Sequence, residues 1–128
     1  GVRLVGSEMC IRDSYWYIRP QETGNKTDVR WLALLNSEGE GVKITGLQPI
    51  AFSALHFSPE DLDPGLTRKL QHTIDIVPQK NIFLYVDLKQ RGLGGDNSWG
   101  MYPHNKYRLL DKKYVYSYMI ELVEKSSD

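Results

Sequence analysis

The chain has a single cysteine, Cys10, in 128 residues. One cysteine cannot build a disulfide framework or a cysteine-based zinc site. No apolar run approaches the roughly 20 residues that cross a bilayer, and residues 1–14 lack the apolar stretch of a signal peptide. Neither sign of charge is in excess: sixteen Lys and Arg are interspersed with sixteen Asp and Glu. A surface of that kind offers no basic stripe to nucleic acid or to an anionic membrane. The three histidines, His56, His72 and His104, lie too far apart for metal-ligand spacing, so structural or surface roles are expected of them. Position 1 is not methionine. A truncated sequence is expected from this, with a cytoplasmic origin as the default.

What is present is a globular composition rich in aromatic residues. Apolar residues make up 41% and charged residues 25%, enough for one domain with one core. Eight Tyr, three Trp and three Phe fit a β-rich core, a sugar-stacking surface, or both. Short strand-like runs recur from residue 15 onward. Residues 29–36 form a nearly continuous apolar run, the pattern of a strand buried on both faces. Residues 37–41 read as a hairpin turn, because glycine supplies the positive φ such turns need. Further strands are predicted over 42–46, 49–57, 73–77 and 106–110. Over 81–88, Ile82, Leu84, Val86 and Leu88 face one way, and Phe83, Tyr85 and Asp87 the other. Over 114–122, Tyr114, Tyr116, Tyr118, Ile120 and Leu122 share a face, read as sheet packing before sugar contact.

One helix is predicted. Ser58 sits at its N-cap, Pro59 at the first helical position, and Glu60, Asp61 and Asp63 place acids where the macrodipole favours them. Residues 124–128 read as a frayed tail. The overall pattern, many short strands with Gly/Pro turns, predicts an all-β antiparallel sandwich with one short helix.

Two segments are dense in polar residues and glycine, and each leads to a Trp beside a strand. The first is Arg19-Pro20-Gln21-Glu22-Thr23-Gly24-Asn25, followed by Val29-Arg30-Trp31. The second follows Asp87: Gly92-Leu93-Gly94-Gly95-Asp96-Asn97-Ser98-Trp99. The glycine segment has no Lys-Ser/Thr after it and opens no helix, so it is not a phosphate loop. From the residues alone, both segments read first as structural turns. Glu22 is expected to pair with an arginine or cap backbone, Asp96 to bond loop amides, and Trp31 to sit in the core.

Taken together, the two segments resemble the C-terminal, small-chain region of glycoside hydrolase family 2 β-galactosidases. Phe52 to Leu55 and Glu60 to Leu62 match in order and spacing between them, and the resemblance runs over residues 15–122. It implies a fragment of a large antiparallel supersandwich, similar to the galactose-mutarotase fold, truncated on its N-terminal side. It implies hydrolysis of terminal β-galactosides such as lactose, with retention, by a parent enzyme whose catalytic glutamates lie in a TIM barrel outside this chain. Trp99 matches a position that forms a platform for the acceptor sugar at the active-site mouth. Gly94, Gly95, Asp96, Asn97 and Ser98 position that platform. The resemblance further implies a β-galactoside or glucose at the mouth, upstream domains and the barrel as partners, and a homo-oligomer when full length. It implies no cofactor in this stretch, although the parent family often uses Mg and Na ions bound elsewhere. Residues 1–14 depart from the family pattern and are expected to be a non-native or disordered leader, dispensable for stability. Two other readings stay open: a carbohydrate-binding module without catalysis, and a structural domain that buttresses the barrel.

Overall fold

A computed structural model describes residues 3–6, 10–11, 24–63, 65, 72–92 and 101–125. These residues form one antiparallel sheet with one short α-helix, so the all-β expectation holds. The strands are β1 (Arg3–Gly6), β2 (Cys10–Ile11), β3 (Lys26–Leu35), β4 (Gly41–Leu55), β5 (Phe83–Asp87) and β6 (Tyr118–Val123). The helix α1 spans Pro59–Leu62.

The 15-residue strand β4 is the spine. Along one edge it pairs with β3, from Leu35 opposite Gly41 to Lys26 opposite Phe52. Along the other edge it carries two strands end to end. Gly41 to Gly46 pair with β6, and Ala51 to Leu55 pair with β5. The sequence divides this strand in two, at 42–46 and 49–57, because Gly46 and Pro49 read as breakers. In the fold they mark an irregularity within one strand. Val29 lies opposite Ile50 and Trp31 opposite Thr45, so the ladder shifts here. A Cβ on Gly46 would lie 2.3 Å from the Gln48 carbonyl oxygen. Only glycine lets the backbone fold back that closely. Leu47 N–H then donates to the Ser117 carbonyl at 3.1 Å, and the Gln48 amide donates to the same oxygen at 3.1 Å. The irregularity thus anchors the segment that leads into β6.

The β3–β4 turn follows the sequence. Gly39 has φ +86°, and the Asn36 side-chain oxygen accepts from the N–H groups of Glu38 and Glu40 at 2.9 and 3.0 Å. The helix likewise has a complete capping box. The Ser58 hydroxyl accepts from Asp61 N–H, and the Asp61 carboxylate accepts from Ser58 N–H.

The core lies mainly on one face. Val29, Leu32, Ile44, Ile50, Phe52 and Ala54 are buried there, with Leu34, Ile82, Leu84 and Val86 packed against them. The alternation read over 81–88 is therefore correct in its facing. A second cluster forms on the other face, where Phe57, Leu62 and Ile76 bury Leu55. Burying both faces at this end removes several large apolar side chains from water, each contributing about 1.5–3 kcal/mol.

Five expectations need correction. Strand β3 is buried on both faces only at Leu32 and Ala33: Arg30 is exposed, and Trp31 is half-buried with the Lys43 ammonium 5.4 Å from its ring centroid. Trp31 is therefore a partly exposed cation–π partner and not a core residue. Residues 73–77 are no strand. Thr73–Asp75 is a 3-10 turn, because the Asp75 carboxylate accepts from His72 N–H at 2.7 Å and closes the chain on itself. Residues 106–110 are no strand either: Asn105–Tyr107 is a 3-10 turn closed by Tyr107 N–H on the His104 carbonyl. Strand β6 begins at Tyr118, not at 114, because the Tyr114 and Tyr116 hydroxyls are used in bridging. Tyr114 accepts from Asp111 N–H at 2.9 Å, and Tyr116 donates to the Val86 carbonyl at 2.9 Å.

No strand is predicted from the sequence within residues 1–14, yet β1 lies there. It pairs with β3 from Arg3 opposite Leu35 to Gly6 opposite Leu32, and β2 pairs with β1 in turn. The predicted strand over residues 15–18 lies outside the described residues.

Candidate functional site

One cleft lies beside the described flanks of the two polar segments. Asn25 closes the first segment, and Asp87 and Gln90 precede the second. All three line a cavity of about 150 Å³, open to solvent on one side. Its other lining residues are Ser53 and Leu55 of β4, Tyr85 of β5, and Phe57, Pro59 and Leu62 around α1.

The sheet register dictates this grouping. Ser53 pairs with Tyr85, and Ala51 with Asp87, so Ser53, Tyr85 and Asp87 share the face opposite the main core. Lys26 pairs with Phe52, and the next residue outward, Asn25, falls level with Ser53. The result is a lateral row of an amide, a hydroxyl and a phenol, with a carboxylate beside it. Leu55, one step along β4, supplies an apolar floor that Phe57 and Leu62 extend.

The turn that carries Asn25 and the Asp87 carboxylate are held from behind. Gly24 has φ +72°, and a Cβ there would come within 3.1 Å of Leu55 Cδ2, so the turn that presents Asn25 favours glycine. Lys26 clamps the same turn by donating from Nζ to the Gly24 carbonyl at 2.8 Å, with its ammonium 5.7 Å from the Phe52 ring centroid. Burial holds the Lys26 ammonium below its ordinary pKa. Gln90 Nε2 donates to Asp87 Oδ2 at 3.0 Å, which fixes the carboxylate. On the opposite wall, Asp61 joins α1 to the chain ahead of β5 by accepting from Gln79 Nε2, and Gln79 N–H donates to the His56 carbonyl at 2.7 Å. The hydrogen bond from Ser58 N–H, together with those from the Gln79 side chain and the Ser58 hydroxyl, holds the Asp61 carboxyl below its ordinary pKa, against desolvation. Among the described residues, the side chains of Asn25, Ser53 and Tyr85 bond to no other protein group.

Chemically, the cleft can accept and donate hydrogen bonds around an apolar floor. Among the described lining residues there is one carboxylate, Asp87. A retaining glycosidase uses two, about 5–5.5 Å apart. Among the described residues no three His, Cys, Asp or Glu side chains converge to hold a metal ion, and no helix is long and apolar enough to cross a membrane.

The sequence-derived site residues Gly94, Gly95, Asp96, Asn97, Ser98 and Trp99 lie outside the described residues, as does Glu22. His56, His72 and His104 are separate. His56 Nδ1 bonds the Gln79 carbonyl, His72 meets Asp75 at 3.5 Å, and His104 precedes the 3-10 turn at 105. Sequence reading did not single out Ser53, Tyr85 or Gln90. The signal for Tyr85 was present: it is an aromatic residue on the polar side of an alternating strand. Ser53 and Gln90 carry no comparable local signal, since their place depends on register and on a turn.

Comparison with known proteins places this geometry in a family. The family described as beta galactosidase small chain matches residues 9–120. A beta-galactosidase of Priestia megaterium is 40% identical over 93 residues, 73% of this chain and 8% of that protein. Beta-galactosidase BgaC of Bifidobacterium adolescentis is 36% identical over 96 residues, 73% of this chain and 9% of that protein. A beta-galactosidase of Halalkalibacterium halodurans is 30% identical over 114 residues, 84% of this chain and 11% of that protein. The match covers about a tenth of these relatives' length and most of this chain, and the chain belongs to the beta-galactosidase small chain family.

Proposed function

We propose that this chain is part of a retaining β-galactosidase that hydrolyses terminal β-D-galactosides such as lactose. The observation that carries this reading is the family match across residues 9–120, which includes both polar segments and the residues that line the cleft. The one carboxylate among the described lining residues fits a supporting role, with the acid/base and nucleophile supplied by other parts of the enzyme. Trp99, at the end of the second segment, offers an indole face to the acceptor sugar at the active-site mouth, positioned by Gly94, Gly95, Asp96, Asn97 and Ser98. The barrel and upstream domains are its partners within a homo-oligomer in the cytoplasm, and Mg and Na ions serve the parent enzyme outside this stretch.

The test is a chimera in which this chain replaces the matching segment of the Priestia megaterium enzyme. The chimera is expected to hydrolyse a chromogenic β-galactoside, and the 128-residue chain alone is not. Trp99→Ala in the chimera is expected to weaken glucose as an acceptor about 5- to 150-fold, with less effect on aryl-galactoside hydrolysis. A folded but inactive chimera, or turnover by the isolated chain that survives repurification, would overturn the reading.

A further inference from the structure

The cleft between β5 and α1 has features that the β-galactosidase reading does not use. Its volume of about 150 Å³ is that of a single six-membered ring: an apolar cavity of about this size in another protein holds benzene. One side is open, so a ring seated here keeps its outer substituents in water.

The lining decides which ring fits. Leu55, Phe57 and Leu62 form an apolar floor, and Tyr85 stands beside it with 42% of its surface exposed. Around that floor stand the Asn25 amide, the Ser53 hydroxyl, the Tyr85 phenol and the Asp87 carboxylate with its Gln90 amide. A purely apolar ring would cover these groups and leave them unpaired, at a cost of about 1–3 kcal/mol each. A phosphate or a carboxylate ligand would meet no cation among the described lining residues and would be repelled by Asp87. A neutral ring with one C–H face and a rim of hydroxyls satisfies both sets. Its face lies on Leu55 and Tyr85, and adjacent hydroxyls donate to the oriented Asp87 carboxylate and exchange hydrogen bonds with Asn25 and Ser53.

We propose that this cleft binds one neutral pyranose residue of a saccharide through Asn25, Ser53, Tyr85 and Asp87. The inference rests on the family reading only for the choice of sugars to try. The small, half-open contact sets the affinity in the millimolar range. Asp87 is a binding residue here and moves no proton.

The experiment is a titration of the 128-residue chain with galactose and with glucose, followed by amide NMR. Saturable shifts are expected at residues 25, 53 and 85–90. Tyr85→Ala and Asp87→Asn are each expected to raise the dissociation constant about tenfold, whereas Tyr118→Ala on β6 leaves it unchanged. If Tyr85→Ala or Asp87→Asn fails to fold, Gln90→Ala, at an exposed position, carries the test, with an expected weakening of about threefold. The same binding is read in the full-length chimera as slowed hydrogen exchange over 83–90 on adding galactose. Shifts centred elsewhere, variants that bind like the wild type, tighter binding of N-acetylphenylalanine amide or galacturonate than of galactose, or no saturable change in either protein would overturn the proposal. Activity of the chimera is scored separately, so a missing sugar site and a mistaken family activity give different results.

Discussion

The two ends of β4 share a spine, a register rule and an alternating sequence, yet only one end is covered on both faces. From Ile50 to Leu55 the strand is buried between β3 and β5, and Phe52 and Ile50 have no exposed surface. Around Gly41 to Gly46 its outer neighbour is β6, where Ile120 is 61% and Leu122 78% exposed. The difference lies in what covers the sheet and not in the strands. Beyond β5, residues 56–62 and 76 fold back and close a second cluster. Beyond β6 the neighbouring chain from 101 to 117 makes turns whose large side chains, Leu110 and Val115 among them, are themselves exposed. Alternation forms a strand at both ends, but only an overlying layer turns that strand into stability.

Substitutions at the two ends sharpen this contrast. Phe52→Ala empties the centre of the covered end and should destabilise the chain by about 3–5 kcal/mol, read as the midpoint of denaturant unfolding. Gly46→Ala places a Cβ against the Gln48 oxygen and the Ile50 side chain, and should cost about 1–3 kcal/mol in the same measurement. Asp61→Ala removes one half of the capping box and the bond from Gln79, and should cost about 1 kcal/mol at neutral pH. The Asp61 carboxyl is held below its ordinary pKa in the folded state. Its contribution is therefore complete above pH ~4 and fades as pH falls through the folded value. Wild type and Asp61→Ala should converge in acid, and a gap that persists at low pH would point to lost packing instead. Leu122→Ser at the other end should change stability by less than about 0.5 kcal/mol. A loss comparable to that of Phe52→Ala would mean that β6 is covered in solution and would break the comparison.

Local features were legible in the sequence at both ends. The turn at 37–41, the Ser58 N-cap and the facing of Ile82, Leu84 and Val86 each depend on residues close in the chain, and each formed as its pattern dictates. What was not legible depends on distant partners. Residues 73–77 look like a strand until the Asp75 side chain bonds His72, and the pair 42–46 and 49–57 look like two strands until Gly46 folds back on Gln48. Trp31 sits in an apolar run but faces Lys43, because the register with β4 assigns it to the opposite face from Leu32. The cleft was half legible. Asn25 ends the first recognised segment and Asp87 precedes the second, whereas Ser53 joins them only through cross-strand pairing.

The shared edge of β4 also orders events in time. The β3–β4 hairpin closes across the short turn at residues 36–40 and needs only microseconds once the chain is available. Strand β6 must instead find Gly41 to Gly46 from the far end of the chain, after β5 has docked farther along the same edge. Closing so long a loop costs more entropy and slows the step. With little apolar surface to reward it, β6 should be the last strand to join and the first to leave. Native-state hydrogen exchange should then show the β6 amides opening at lower denaturant than those of β4 and β5. During synthesis, the hairpin and its cleft would stand assembled while the edge at Gly41 to Gly46 still waits for its final strand.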